Sequence, residues 1–219
     1  TFNFKTGGAS IATERNIRTF FNNDGTRLYV YSYNNTDMVS YGLSTAYDMS
    51  TKGTHLQNVS LGSSPYSLNY SFGPIWNNDG TKLYYPSHGP NEIKELTLST
   101  AYDLSTISST PSHTLTPSNF TGQMAGLVFK PDGTKMYAVE DAGQGSGGGG
   151  QIHTFTLSTA WDLSTASFTS KTADNYFTHS GARFTSFEFA DSGSTIYILD
   201  RNNDTIRRYS LATAWDVTN

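Results

Sequence analysis

No cysteine occurs among the 219 residues, which excludes a disulfide framework and a thiolate metal site. Charge is also scarce: Asp, Glu, Lys and Arg make up 15% of the chain, its 14 basic residues are scattered, and the formal net charge is −4. The concentrated basic patch of a nucleic-acid binder is therefore missing. No apolar run approaches the roughly 20 residues of a membrane-spanning helix. No stretch holds a helical period for a useful length. The histidines His55, His88, His113, His153 and His179 show neither a His-Glu-x-x-His motif nor paired ligand spacing. Asp24, Asp79 and Asp132 have Gly and Thr neighbours where a calcium loop needs further carboxylates. No metal and no other cofactor is expected. The chain starts at Thr1 with no signal peptide, so it reads as a mature or excised piece.

What the chain does have is aromatic residues, 14% of the total, set among Ser, Thr, Asn and 20 Gly, a composition suited to strands and turns. Two phrases recur four times. The first is Asp24-Gly25-Thr26-Arg27-Leu28-Tyr29, repeated at 79–84 and 132–137 and degenerate at 192–197. The second is Leu43-Ser44-Thr45-Ala46-Tyr47-Asp48, repeated at 98–103, 157–162 and, with Ala for Ser, 211–216. A period in the fifties carrying two turn signals denotes a multi-stranded unit copied in tandem. The expectation is an all-β chain, a four-bladed β-propeller with about four antiparallel strands per blade. It forms a single domain, 1–219, with repeats 1–50, 51–105, 106–164 and 165–219.

Within each repeat the first strand ends in an aromatic, Phe21, Trp76, Phe129 or Phe189, expected in the core. Asp-Gly then supplies the positive φ of a tight hairpin. The third strand carries Met38, Ile93, Ile152 or Ile206. Thr45, Thr100, Thr159 and Thr213 precede an Asp by three residues, which resembles a Thr-x-x-Asp cap on one helical turn, and Asp48, Asp103, Asp162 and Asp216 are read as the caps. The aromatics filled alike in every repeat, Tyr29, Tyr84, Tyr137 and Tyr197 and also Tyr47, Tyr102, Trp161 and Trp215, are read as blade-to-blade packing. The glycine-rich stretch 142–150 lacks the following helix and Lys of a phosphate loop and reads as a flexible insertion.

Pro131-Asp132-Gly133-Thr134-Lys135-Met136-Tyr137 is similar to the hairpin signature of YVTN-type and WD40-like microbial surface propellers. The Leu-Ser-Thr-Ala-Tyr-Asp half departs from that signature and resembles repeats of tandem-propeller proteins of aquatic bacteria and their phages. What the resemblance implies is an extracellular or cell-surface location and a structural or adhesive role as one unit of a tandem or polymerised fibre, with no enzyme activity. A lectin-like glycan-binding or phage receptor-binding module is the alternative, and a polysaccharide-active enzyme the third reading. Partners are then further copies of the chain or neighbouring propeller units, and surface glycans, with no nucleic acid and no membrane span.

Function in such a fold sits on variable loops. The loops on one face hold Tyr33, His88, Glu140, Asp141, His179, Arg183, Asp200 and Arg201, a mix of aromatic and polar groups suited to sugar binding. Asn219 takes the repeat slot of Thr51, Thr106 and Thr165, so the C-terminus runs into Thr1 in phase. Phe2, Asn3, Phe4, Lys5 and Thr6 are thus expected to supply the fourth strand of the last blade, closing the ring or joining it to another unit.

Overall fold

A computed structural model describes residues 17–32, 36–62, 73–87, 90–141, 150–172, 184–200 and 203–218. The fold is the expected four-bladed β-propeller, built of four small antiparallel sheets. Strands β1 (Ile17–Phe21), β2 (Arg27–Ser32), β3 (Asp37–Leu43) and β4 (Lys52–Ser60) form the first blade in sequence order. The second blade orders β5 (Ile75–Trp76), β6 (Lys82–Ser87), β7 (Glu92–Thr97) and β8 (His113–Leu115) in the same way. The third comprises β9 (Gln123–Phe129), β10 (Lys135–Asp141), β11 (Gln151–Leu157) and β12 (Ala166–Lys171). The fourth shows three strands among the described residues, β13 (Phe184–Ala190), β14 (Thr195–Asp200) and β15 (Thr205–Ser210). The proposed fourth strand at Phe2 to Thr6 and the insertion at 142–149 lie outside the described residues.

The chain divides into two compact units, one of Thr1–Ser87 with Lys94–His113, the other of His88–Ile93 with Thr114–Asn219. In the first unit Tyr29, Tyr31 and Met38 pack with Trp76, Leu83, Tyr85, Leu96 and Leu104 in one buried cluster. The Tyr29 ring lies 5.2 Å from Trp76, and its hydroxyl donates to the Tyr102 carbonyl at 2.6 Å. The second unit repeats this: Tyr137 lies 4.7 Å from Phe189 and donates to the Trp215 carbonyl at 2.7 Å. Burial raises both phenols well above the ordinary tyrosine range, so they remain donors. Of the aromatics expected in the core, Trp76 and Phe129 are buried, and Phe21 and Phe189 are half-buried.

The recurring turn bears out one sequence reading and alters another. The Asp is the cap as expected: Asp48, Asp103 and Asp162 each precede a 3-10 turn, and their side chains accept from the backbone N–H groups of Ser50, Ser105 and Ser164. The aromatic before each Asp packs chiefly within its own blade. Tyr47, Tyr102, Trp161 and Trp215 adopt φ of 59° to 63° and lie over Gly25, Gly80, Gly133 and Gly193. Each donates its N–H to that glycine's carbonyl, at 2.8 to 3.1 Å. The recurring Gly is therefore needed twice, for its own positive φ and because a Cβ would collide with the ring above it.

Candidate functional site

Glu140, next to last in β10, is held by four hydrogen bonds. Between Val139 and Glu140 the pairing with β9 shifts register, a bulge that re-aims the side chain beyond it. Glu140 Oε1 accepts from the backbone N–H and the hydroxyl of Thr121, both at 2.7 Å, and from the N–H of Gly122. Oε2 meets His153 Nε2, on the neighbouring strand β11, at 2.6 Å. Burial alone would raise this carboxyl, but these bonds outweigh it and hold its pKa at about 2. Asn91 fastens the same segment, donating to the Gly122 carbonyl at 2.7 Å and accepting from Met124 N–H at 2.8 Å.

His153 is wholly buried, with Phe120 stacked on its ring at 4.1 Å and Phe168 at 6.0 Å. Its second nitrogen, Nδ1, has no hydrogen-bond partner among the described residues. An ionised Glu140 accepts Nε2–H, which leaves the Nδ1 lone pair free in the neutral imidazole. A buried polar atom in that state calls for a water or a ligand atom.

The fourth blade holds a parallel arrangement. Glu140 and Asp200 stand three residues after Tyr137 and Tyr197, while His153 and Arg207 pair in register with Ala138 and Ile198. Asp200 is buried, accepts from Asn203 Nδ2 at 2.8 Å and lies 3.5 Å from Arg207 Nε. In the first unit the acid slots hold Ser32 and Ser87, both buried, with hydroxyls that have no partner among the described residues. Among the described residues no cluster of three or more potential metal ligands occurs.

Of the residues expected on the loop face, Glu140, Asp141 and Asp200 are described, and all three are buried at the ends of strands instead of lying on loops. Tyr33, His88, His179, Arg183 and Arg201, like Phe2, Asn3, Phe4, Lys5 and Thr6, lie outside the described residues. The partner that matters most, His153, was passed over in the sequence because it lacks a nearby ligand-spaced neighbour. Its acid lies 13 residues away and reaches it only through strand pairing.

No family model and no curated protein matches the chain. Solved structures do. A periplasmic gluconolactonase from Pseudomonas aeruginosa is 15% identical with a TM-score of 0.51, over 90% of this chain and 57% of the other. A Bacteroides fragilis protein provisionally named a 6-phosphogluconolactonase is 14% identical with a TM-score of 0.54, over 94% of this chain and 54% of the other. A chain of the nidogen/laminin complex is 10% identical with a TM-score of 0.59, over 91% and 62%. This chain thus spans about half the length of the solved structures it resembles. At these identities the likeness establishes the propeller fold. It also corrects the functional expectation: the similar proteins include named lactonases, which overturns the reading of a non-enzymatic extracellular structural or adhesive unit, with its lectin-like variant. Among the described residues no helix is long and apolar enough to cross a membrane.

Proposed function

We propose that this chain is a catalytic propeller that hydrolyses a small sugar-derived lactone, with His153 as general base and Glu140 as the residue that orients it. The observation that carries this reading is the buried Glu140–His153 pair with its open Nδ1. The names of the similar lactonases supply the substrate class. Glu140 fixes the tautomer and Nδ1 takes a proton from one water. The hydroxide so formed adds to the lactone carbonyl, the ring C–O bond breaks, and the departing alkoxide recovers the proton, giving the open hydroxy acid. The substrate carbonyl must reach that water, which places it near the loop end of β10, beside Thr121 and Gly122. A setting outside the cytoplasm, like that named for the Pseudomonas protein, completes the proposal.

Glucono-1,5-lactone hydrolysis, followed by proton release above the spontaneous rate, tests the proposal directly. Glu140→Gln preserves shape, yet its amide donates to Nε2 and so moves the imidazole proton to Nδ1. A loss of about 100-fold or more in kcat is expected, the usual worth of a positioned base. A second reading, in which the pair only latches residues 120–122 to the blade, is favoured by the equivalent Asp200–Arg207 pair. Under that reading Glu140→Gln lowers the unfolding temperature and the wild-type chain shows no turnover.

A further inference from the structure

The backbone ahead of β9 carries several contacts to the Glu140–His153 pair, and each depends on where that short stretch lies. Thr121 and Gly122 hold Glu140 Oε1, and Phe120 stacks on the His153 ring with the two planes 17° apart. The ladder between β9 and β10 begins at Gln123, opposite Asp141, one residue short of these groups. It is also interrupted where it begins: Glu140 pairs with Met124 and Val139 with Gly126, so Ala125 is the extra residue of the bulge.

Asn91, immediately before β7 and part of the second unit, supplies what the ladder does not. Its carboxamide spans Gln123, with Nδ2 donating to the Gly122 carbonyl at 2.7 Å and Oδ1 accepting from Met124 N–H at 2.8 Å. One amide thus satisfies a backbone acceptor and a backbone donor, as a neighbouring strand would. The residue type is demanding. Asn91 has a φ of 54°, which Asn adopts more readily than most side chains, and its carboxamide offers a donor and an acceptor together. An Asp here would keep the shape and set a carboxylate oxygen against the Gly122 carbonyl. Clearance is also small at Gly122, where a Cβ would collide with the Asp141 carbonyl and come within 3.1 Å of Glu140 Oε1.

We propose that Asn91 is a positioning residue of the site: by fixing Gly122 and Met124 it keeps Glu140 Oε2 aligned on His153 Nε2. Its bonds run to backbone atoms of Gly122 and Met124, so its influence reaches His153 through Glu140. Without the carboxamide the Thr121 and Gly122 N–H groups withdraw from Oε1, the carboxylate turns, and the bond to Nε2–H lengthens. The effect on turnover rests on the hydrolytic reading; the effect on the pair does not.

Asn91→Gly tests this, since glycine takes the same φ freely and removes only the carboxamide. Proton NMR reads the His153 Nε2–H, held by a carboxylate at 2.6 Å and therefore far downfield and slow to exchange, and assigned by its loss in His153→Gln. In Asn91→Gly that resonance should move upfield and exchange with water about tenfold faster or more, while the circular dichroism spectrum stays that of wild type. Gly122→Ala, which dislodges the same stretch by a clash, should give the same change. With glucono-1,5-lactone, kcat of Asn91→Gly should fall about tenfold or more and KM stay within about twofold, the pattern of a misaligned base and not of lost binding. An unchanged resonance in Asn91→Gly, or an unchanged kcat where the wild type turns over, would overturn the proposal. A wild type without turnover sinks the hydrolytic reading instead, and the resonance still decides whether Asn91 aligns the pair.

Discussion

Gly133 shows how much one missing methyl group can decide. Its φ is +74°, and a Cβ there would overlap the indole of Trp161. Gly133→Ala therefore adds backbone strain to a displaced ring, and a loss of about 2 to 4 kcal/mol in chemical denaturation is expected. Gly53→Ala is the control: its Cβ would meet only the Gly42 carbonyl at an ordinary 3.5 Å, and the expected change is within about 0.5 kcal/mol. Glu140 makes a prediction about pH. Its folded pKa of about 2 lies below its ordinary value of 4.5. A depressed carboxyl stabilises fully above its unfolded pKa and loses that contribution as pH falls through the folded value. Calorimetry between pH 5 and about 2 should thus show the wild-type melting temperature falling more steeply than that of Glu140→Gln.

The recurring turn after the third strand is the element whose chemistry the sequence disclosed best. The Thr-x-x-Asp spacing pointed to a capped helical turn, with Asp48 and its counterparts as the caps. In the fold Asp48 holds the cap, and Thr51 Oγ1 receives the Thr45 N–H at 3.0 Å. The role of Thr51 was not visible because it depends on the φ of Tyr47, a value that residue identity does not announce. Asp103 is the best place to measure the element, since its carboxylate accepts from Ser105 N–H at 2.9 Å and also from the side chain of Gln57. Asp103→Ala should cost about 0.5 to 2 kcal/mol in thermal unfolding, the range of a lost N-cap. Asp103→Asn should recover most of it.

For the whole molecule, repetition made the fold legible and hid the site. Four copies of a two-phrase repeat determine strand order and the position of each hairpin, because every copy has to bury the same alternate residues. The Glu140–His153 pair breaks that pattern. It is created by a bulge in β10 and by pairing between strands, so no local window of sequence contains it. Position on a variable loop singled out Glu140, Asp141 and Asp200 in the sequence, yet all three are buried at the ends of strands. The repeat also predicts tolerance: Phe fills the slot of Trp76 in the other three copies, so Trp76→Phe should keep the unfolding midpoint within about 1 kcal/mol of wild type, read by circular dichroism.

The same substitution gives the aromatic stacks an optical use. The chain has three tryptophans, Trp76 in the first unit and Trp161 and Trp215 in the second. Trp161 and Trp215 lie over the turn glycines of the third and fourth blades, against Phe129 and Phe189 at 4.9 and 4.8 Å. Intrinsic emission from the Trp76→Phe variant therefore originates from the second unit alone. Fluorescence can follow that half of the molecule without an added label, and subtraction from wild type leaves a signal that reports on the first.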